Sequence, residues 1–256
     1  MIQSDSISRL DVPCLHRIHI GQASGSHLIH EAIGMSIEMN DLIHRLERLN
    51  EKAAELKLPD NSFPVTFDDG WIDALKLQSV FESLNHIQPV LFLTMRQLRG
   101  DWSLLPLPRL YDSVSDAISD IDDIDSLRER LKGLCEEDQH ALLDSMELPR
   151  DIPSPEMIGR DRLGDLVDSG WLIGSHSHDH HDLRFDDALA LEEGLCEALD
   201  ATLEAGGVPW LAWPEGRCRM EGCEIAKAVG FERQFSLNVP AGMVDHPDLI
   251  RREIWR

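Results

Sequence analysis

Residues 62–71 read SFPVTFDDGW and residues 172–183 read LIGSHSHDHHDL, and these two stretches decide the fold. Each begins with an apolar run of strand length and ends in side chains that bind metal ions, two aspartates in the first and four histidines in the second. Such apolar runs are typical of parallel strands that are buried on both faces. Polar residues that follow parallel strands meet at one edge of a sheet or barrel. The two stretches therefore predict an α/β fold with its functional site at the carboxyl ends of the strands.

The polar ends of the two stretches contain a candidate metal site. Asp69, His176 and His180 could supply one carboxylate and two imidazoles to a single divalent ion, most simply zinc, with cobalt or another first-row metal as alternatives. The two histidines are four residues apart, so one turn of helix or a tight loop would place both rings on the same side. Asp68 would stay off the metal as a general base, acting on a bound water whose pKa the metal lowers to about 7.

The same residues also fit less specific roles. The histidine-rich loop could be a metal-binding tract on the surface or merely a polar loop, and Asp68 and Asp69 could belong to an ordinary turn. The occurrence of the aspartates and the histidines at the ends of two different strands favours a shared site. His178 and His181 are expected to face solvent or to support the ligands rather than to bind the ion.

The composition of the 256-residue chain is that of a globular protein, 42% hydrophobic and 28% charged, with a formal net charge of −23. Such a charge repels phosphate backbones and anionic lipids, so nucleic acid and membrane surfaces are not expected as partners. We see no signal peptide and no apolar run of about 18 residues, the length of a membrane span. The five cysteines are odd in number and scattered, so we expect reduced thiols and a cytoplasmic location.

The order of the predicted elements favours a single α/β domain over residues 1–256. Three strands and two helices are predicted first, in the order strand 11–20, helix 36–58 with Ser36 as its N-cap, strand 64–67, helix 71–84 and strand 89–94. A strand, a helix and a strand joined by short turns form a βαβ unit with parallel strands. Residues 96–155 then form an acidic helical insertion, which could cover the site or join the subunits of a homo-oligomer.

Four segments resemble the polysaccharide deacetylases with a NodB-type domain, carbohydrate esterase family 4. TFDDG at residues 66–70 is similar to the first motif of that family, and GSHSHDHHDL at residues 174–183 resembles the second, HSxxH followed by Asp-Leu. VPCLHRI at residues 12–18 and LIRREIW at residues 249–255 resemble its opening and closing strands. The resemblance implies a distorted (β/α) barrel and metal-dependent hydrolysis of an N- or O-acyl group, usually an N-acetyl group on a sugar.

The resemblance also implies a role for individual residues. Asp68 corresponds to the general base, and Ser177 would support the shape of the histidine loop. The residues that correspond to the metal ligands are Asp69, His176 and His180.

The sequence departs from the family in its third and last motifs. The third motif is commonly Arg-x-Pro-Tyr, whereas residues 212–215 read AWPE. The backbone N–H of Glu215 could still contact the oxyanion, and Arg217 could replace the missing cation. A Leu-x-His motif, which carries the general acid in the family, is not evident. Three candidates remain for that role: His246, a protonated Asp68 and a first-strand histidine such as His16.

We therefore expect a metal-dependent deacetylase that acts on a carbon–nitrogen bond of an acylated sugar. A cytoplasmic location would suit a sugar or glycan precursor better than a finished polymer. The same metal centre could instead release formyl groups or open a small cyclic amide. The altered third motif leaves a further alternative, a non-catalytic carbohydrate-binding protein with the same barrel. Trp210 and Trp213 could stack on a sugar ring, although aromatic residues at a strand end more often belong to the core.

Overall fold

The structure, a computed structural model, describes residues 11–22, 30–31, 33–100, 109–110, 121–132, 134, 136–147, 157–240 and 248–256. Within these ranges, seven parallel strands close into a barrel in the order β1, β4, β5, β6, β7, β8, β9, and β9 pairs with β1. β2 and β3 form a separate pair of parallel strands. The strands are β1 Val12–Leu15, β2 Arg17–His19, β3 Ser36–Glu38, β4 Phe63–Phe67, β5 Ile87–Leu93, β6 Leu172–Ser175, β7 Trp210–Ala212, β8 Arg233–Ser236 and β9 Leu249–Ile254. The expected distorted (β/α) barrel is confirmed.

Helices connect the strands around the outside of the barrel. The α-helices are α1 Met39–Glu55, α2 Gln78–Phe81, α3 Met95–Leu98, α4 Ile121–Lys132, α5 Glu136–Ser145, α6 Arg160–Asp168, α7 Ala188–Glu204 and α8 Met220–Val229. Short 3₁₀ helices lie at Ile72–Leu77, Leu183–Phe185 and Pro214–Gly216. Helix α1 buries residues at helical spacing, namely Leu42, Leu46, Leu49 and Ala53. Helix α7 is capped by Asp187, whose side chain accepts hydrogen bonds from the N–H groups of Leu189 and Ala190.

Three predicted elements differ from the structure. The predicted helix 71–84 is a 3₁₀ helix, Ile72–Leu77, followed by the short helix α2, Gln78–Phe81. The first strand is divided at His16 into β1 and β2, which belong to different sheets. Ser36 is not a helix N-cap: it begins β3, its hydroxyl contacts His19 Nδ1 at 2.9 Å, and Glu38 caps α1 instead. Pairing with β2 overrides the local capping signal, because a β-ladder satisfies the same backbone groups.

Strands β1, β4 and β5 are buried on both faces, as their apolar sequences predict. Every residue of β4 and of β5 is buried, and their side chains form the main core with α1 and α6. A second apolar cluster joins α7 and α8 to the far side of the barrel through Leu195, Trp213 and Phe231. Among the described residues, no helix has both the length and the apolar character to cross a membrane.

The predicted insertion at residues 96–155 lies partly outside the described residues. Its described part contains α3, α4 and α5, and Leu131 of α4 and Leu143 of α5 belong to a small buried cluster. Arg109, also buried, forms an ion pair with Asp144 at 2.6 Å. A role in covering the site or in joining subunits stays a prediction.

Candidate active site

The predicted metal ligands converge at the carboxyl ends of two barrel strands. Asp69 follows β4, and His176 follows β6, which is separated from β4 by β5. Asp69 Oδ1 lies 3.2 Å from His180 Nε2 and 3.5 Å from His176 Nε2. One ligand atom from each of the three residues lies within 4.8 Å of the other two.

These side chains fit a divalent metal ion. Ligands at about 2.0–2.2 Å from a tetrahedral zinc ion lie roughly 3.3–3.6 Å from one another, close to the two distances measured from Asp69 Oδ1. Asp69 Oδ1 is buried and, among the described residues, makes no hydrogen bond of good geometry, although His180 Nε2 lies 3.2 Å away. A buried carboxylate oxygen without a partner is rare unless an ion or water satisfies it. Asp69, His176 and His180 could therefore hold the ion that the fold family implies.

The two histidines are in different protonation states when no metal is bound. His176 Nδ1 donates to the backbone oxygen of Ala212 at 2.8 Å, which leaves Nε2 as a ligand toward Asp69. Burial lowers the pKa of His176 to about 4, so this ring is neutral. Burial also lowers the pKa of His180, but the charges of Asp69 and Glu215 outweigh it and raise that pKa to about 9. His180 thus carries a proton that a metal ion must displace.

Helix α3 positions both ligand loops, which the sequence did not indicate. Gln97 Nε2 donates to the backbone oxygen of Asp69 at 2.7 Å, and the Met95 N–H donates to the backbone oxygen of Ser177 at 2.9 Å. Ser177 Oγ accepts a hydrogen bond from the His180 N–H at 3.3 Å, which is the supporting contact expected of it. Gln97 itself is fixed by a capping box with Thr94.

Four residues at these strand ends have a left-handed backbone conformation that non-glycine residues rarely adopt. They are Asp69, Ser177, His180 and Glu215, with φ between 56° and 70°. Such conformations raise the energy of the backbone by about 1–3 kcal/mol each and persist where the surroundings enforce them. Their concentration around one set of ligands supports this edge of the barrel as the candidate site.

Asp68 is held apart from the ligand set by Arg252 of β9. Arg252 Nη1 donates to Asp68 Oδ1 at 2.7 Å and to Thr66 Oγ1 at 3.2 Å, and both charged side chains are buried. Burial raises the pKa of Asp68, but the charges of Arg252, His176 and His16 outweigh it and hold the pKa at about 2. Asp68 is therefore ionised, and its Oδ2, 3.7 Å from His176 Nε2, faces the ligands.

Arg252 supplies a cation to Asp68, whereas Arg217 follows the 3₁₀ helix Pro214–Gly216, and its role as a replacement for the missing cation stays a prediction. Arg252 lies within the closing-strand segment LIRREIW, but that segment contains two adjacent arginines. Only the barrel register shows that Arg252 is buried while Arg251 is exposed. A one-residue shift of register would exchange the two.

Two further side chains from β1 and the residue after it lie beside Asp68. His16 Nε2 is 3.9 Å from Asp68 Oδ2, and Cys14 Sγ donates to the same oxygen at 3.4 Å. Cys14 is fully buried and His16 is 9% exposed. The division of the first strand at His16 brings this ring to the site, and His16 was one of the three acids proposed from the sequence.

The remaining predicted site residues have different positions. Glu215 lies in the loop after β7. Burial lowers the pKa of His180, but the charges of Asp69 and Glu215 outweigh that effect and raise it. His246 lies outside the described residues, so its role as general acid stays a prediction. His181 Nε2 contacts both oxygens of Asp186 at 2.8 Å, so it supports the loop as expected.

The two tryptophans belong to the core rather than to a sugar-stacking surface. Trp213 is 1% exposed and donates through Nε1 to Gln234 Oε1 at 3.2 Å. Trp210 begins β7, at the opposite end of that strand from the site, and Arg233 lies over its ring at 4.4 Å. The four cysteines within the described residues are free thiols, as expected, and Cys135 lies outside them.

Comparison with known proteins identifies the fold. No family model matches the sequence, and no curated protein matches it either. The Streptococcus pyogenes deacetylase PplD in complex with acetate superposes with a TM-score of 0.55 at 12% identity, over 96% of this chain and 92% of that one. The fold is that of the polysaccharide deacetylases. A de-N-acetylase from Aggregatibacter actinomycetemcomitans (TM-score 0.55, 14% identity, 94% of this chain and 93% of that one) agrees with it.

The BpsB deacetylase domain from Bordetella bronchiseptica also has this fold, with a TM-score of 0.52 at 15% identity over 99% of this chain and 97% of that one. The family that the four sequence segments resemble is thus also the family whose structures match. Identities this low establish the fold, and function has to be argued from the site.

Proposed function

We propose that this protein is a metal-dependent hydrolase that removes an N-acetyl or other small acyl group from a sugar or glycan precursor. The observation that carries the proposal is the convergence of Asp69, His176 and His180 beside an ionised Asp68 that is held by Arg252. A ligand set and a separate carboxylate, side by side, divide the work of binding a metal ion and accepting a proton. The matching deacetylase fold supports the same reaction class.

Asp69, His176 and His180 would hold the metal ion, with zinc as our first choice and cobalt as an alternative. When bound, the ion polarises the acyl carbonyl and makes an attacking water more acidic. His176 presents Nε2 because Ala212 fixes its proton on Nδ1. The Gln97 side chain donates to the backbone oxygen of Asp69, which holds the loop so that the Asp69 carboxylate faces the two rings.

Asp68 is the proposed general base. Arg252 holds Oδ1, which leaves Oδ2 to accept the proton of the attacking water as the new carbon–oxygen bond forms. The resulting oxyanion would be stabilised by the backbone N–H of Glu215. Because Arg252 and the nearby histidines keep the pKa of Asp68 at about 2 against the effect of burial, the base is available throughout the neutral range.

We propose His16 as the general acid. Its Nε2 lies 3.9 Å from the oxygen of Asp68 that accepts the water proton. A proton delivered from His16 to the leaving nitrogen would allow the carbon–nitrogen bond to break, giving a carboxylic acid and an amine. A protonated Asp68 and His246 are the two alternatives, and substitution of His16 distinguishes it from both.

The test is a screen of N-acetylated nucleotide sugars and glycan precursors for released acetate, with zinc and cobalt supplied in turn. Asp68→Asn should lower turnover by about 10²–10⁴-fold while leaving zinc binding intact, since it removes the base and keeps the ligands. Asp60→Asn, an exposed aspartate before the same strand, is the matched control. Formylated sugars and small cyclic amides extend the screen to the alternative substrates.

Two results would contradict the proposal. If the wild-type protein binds zinc and acylated sugars yet never releases acid, the non-catalytic carbohydrate-binding alternative is correct. If Asp69→Ala leaves zinc affinity unchanged, the metal site has been assigned to the wrong residues. The cytoplasmic location, the absence of nucleic-acid partners and the homo-oligomer stay predictions.

A further inference from the structure

A second group of potential metal ligands lies next to the first. Cys14 Sγ, His16 Nε2 and a carboxylate oxygen of Asp68 are all within 4.8 Å of one another. Asp68 Oδ2 is 3.4 Å from Cys14 Sγ and 3.9 Å from His16 Nε2. The group therefore combines a sulfur, a nitrogen and an oxygen donor, all supplied by the ends of β1 and β4.

The spacing of these atoms suits a small divalent ion. A tetrahedral ion with ligands at about 2.0–2.3 Å separates its donor atoms by roughly 3.3–3.7 Å, and the two distances measured from Asp68 Oδ2 are close to this range. Their burial removes competing water, and His16, at 9% exposed, lies at the solvent edge of the group. The sulfur donor favours zinc and cobalt over magnesium, which prefers oxygen ligands.

We propose that Cys14, His16 and Asp68 form a second metal site, selective for ions that bind thiolates, and that an ion bound there inhibits hydrolysis. The inhibitory part rests on the proposed function, whereas the binding part does not. On binding, the Cys14 S–H bond breaks, a metal–sulfur bond forms and the thiol proton passes to solvent.

Inhibition follows from the atoms that the second ion would occupy. Oδ2 is the oxygen of Asp68 that Arg252 leaves available, and it would be coordinated instead of accepting the water proton. Nε2 is the His16 atom that faces the reacting groups, and it would be coordinated instead of donating a proton. One ion at this site thus disables both the base and the acid.

The second site should bind more weakly than the first. Arg252 donates to the other oxygen of Asp68, so a cation on that carboxylate shares its charge with a buried guanidinium. The first ion would lie close by as well, because His176 Nε2 is 3.7 Å from Asp68 Oδ2. Like charges at such separations repel strongly in a buried site. We therefore expect sequential filling, with the Asp69 site occupied first.

The experiment is a cobalt titration of the metal-free full chain, followed by absorption spectroscopy. The second equivalent, but not the first, should produce a thiolate-to-cobalt charge-transfer band in the near ultraviolet. Cys14→Ser and Cys14→Ala should abolish that band while keeping the visible cobalt bands of the first equivalent, which also show that the variants are folded. Cys196→Ser, which alters an exposed cysteine, is the matched control and should keep both signals.

Activity supplies the second readout. Wild-type enzyme loaded with one equivalent of zinc should lose activity as further zinc is added, and magnesium should have no effect. Cys14→Ser should raise the inhibitory zinc concentration on the order of tenfold or more, as removal of a ligand weakens a metal site at least as much as loss of a supporting contact.

The inference is overturned if the second equivalent gives no charge-transfer band, or if the band persists in both Cys14 variants. It is equally overturned if excess zinc inhibits the Cys14→Ser enzyme as strongly as the wild type. Failure of the proposed function has a different signature, since no acylated sugar would be hydrolysed while the cobalt spectra would still report on Cys14.

Discussion

The side chains around Asp68 and Asp69 give these two adjacent aspartates different roles. Asp69 is turned toward two imidazoles by a left-handed backbone conformation and by Gln97, whereas Asp68 is tied to Arg252. Truncating one partner of a buried ion pair is strongly destabilising because the other charge is left without compensation. The Asp68–Arg252 pair therefore fixes the base in position and keeps it ionised.

The role of His16 can be tested by a single substitution. His16→Gln should lower kcat by about 10²–10⁴-fold, because the proposed donor to the leaving nitrogen is lost. Zinc affinity, measured by competition with a chelator, should stay unchanged because His16 is not among the primary ligands. His44→Gln, on the exposed face of α1, serves as the control. Full activity of the His16 variant would exclude this ring and favour His246 or a protonated Asp68.

The first equivalent of zinc should bind more tightly as the pH rises from about 6.5 to 9. Opposing the effect of burial, Asp69 and Glu215 raise the pKa of His180 to about 9 in the metal-free protein, so binding releases one proton across this window. Release of one proton corresponds to about a tenfold gain in affinity per pH unit. His176, with a pKa lowered to about 4 mainly by burial, releases none there.

The measurement is zinc competition with a chelator of known affinity at several pH values between about 6 and 9.5, which span the titration of His180. The raised pKa of His180 also makes folding stability depend on pH. Without metal, the stabilising His180–Asp69 pair is fully present below about pH 6.5. Its contribution is lost as the pH rises through about 9. A zinc affinity that does not change with pH would show that His180 is not protonated in the free protein.

At the scale of the elements, the loops after β4 and β6 carry the proposed ligands, and residues that follow β5, the strand between them, hold these loops in place. The end of β5 leads directly into α3, whose Gln97 and Met95 contact the loops after β4 and β6. The His176 N–H also donates to the backbone oxygen of Leu93 at 2.7 Å. A ligand set carried by loops is thus held by the rigid strand between them.

The packing of β6 against β5 depends on Gly174. A Cβ atom at this position would lie 2.4 Å from the Phe92 ring and 3.1 Å from the backbone oxygen of Trp210. Gly174→Ala should therefore destabilise the protein by about 1–3 kcal/mol through overpacking, measured by urea unfolding. Gly194→Ala, in the interior of α7 with nothing within 4 Å of the new methyl group, should instead stabilise it by about 0.5–1 kcal/mol. Equal stability of the two variants would contradict this role of Gly174 in the β5–β6 contact.

At the scale of the whole molecule, a bound metal ion would link two strands of the closed barrel. Zinc at 100 times its dissociation constant should stabilise the folded state by about 2.7 kcal/mol, because the unfolded chain has no preformed site. For a protein of this size, the gain corresponds to roughly 5–10 °C in Tm.

Calorimetry with and without zinc tests this linkage. Asp69→Ala should abolish the zinc-dependent rise in Tm, and Asp60→Asn should retain it. An identical rise in both variants would place the stabilising ion elsewhere. A metal buffer should keep free zinc below the concentration at which the Cys14 group binds, so that this group does not contribute.

Much of this protein was determined by local sequence alone. The apolar run of β4 and the Asp-Asp-Gly that follows it indicate a buried strand with a polar loop at its end. A strand that is buried on both faces is a continuous apolar run, which the sequence shows directly. The four-residue spacing of His176 and His180 likewise predicted a shared ligand set. These features depend only on residues close together in the chain, so they can be predicted without knowledge of the fold.

Only the tertiary structure decided which distant residues complete the site. Arg252 is 184 positions from Asp68, and its choice over Arg251 depends on the register of β9 in the closed barrel. The placement of His16 and Cys14 beside the base depends on β1 pairing with β4, and the support from Gln97 depends on β5 lying between the ligand strands. Strand pairing and barrel closure are properties of the assembled barrel, and short-range sequence patterns do not specify them.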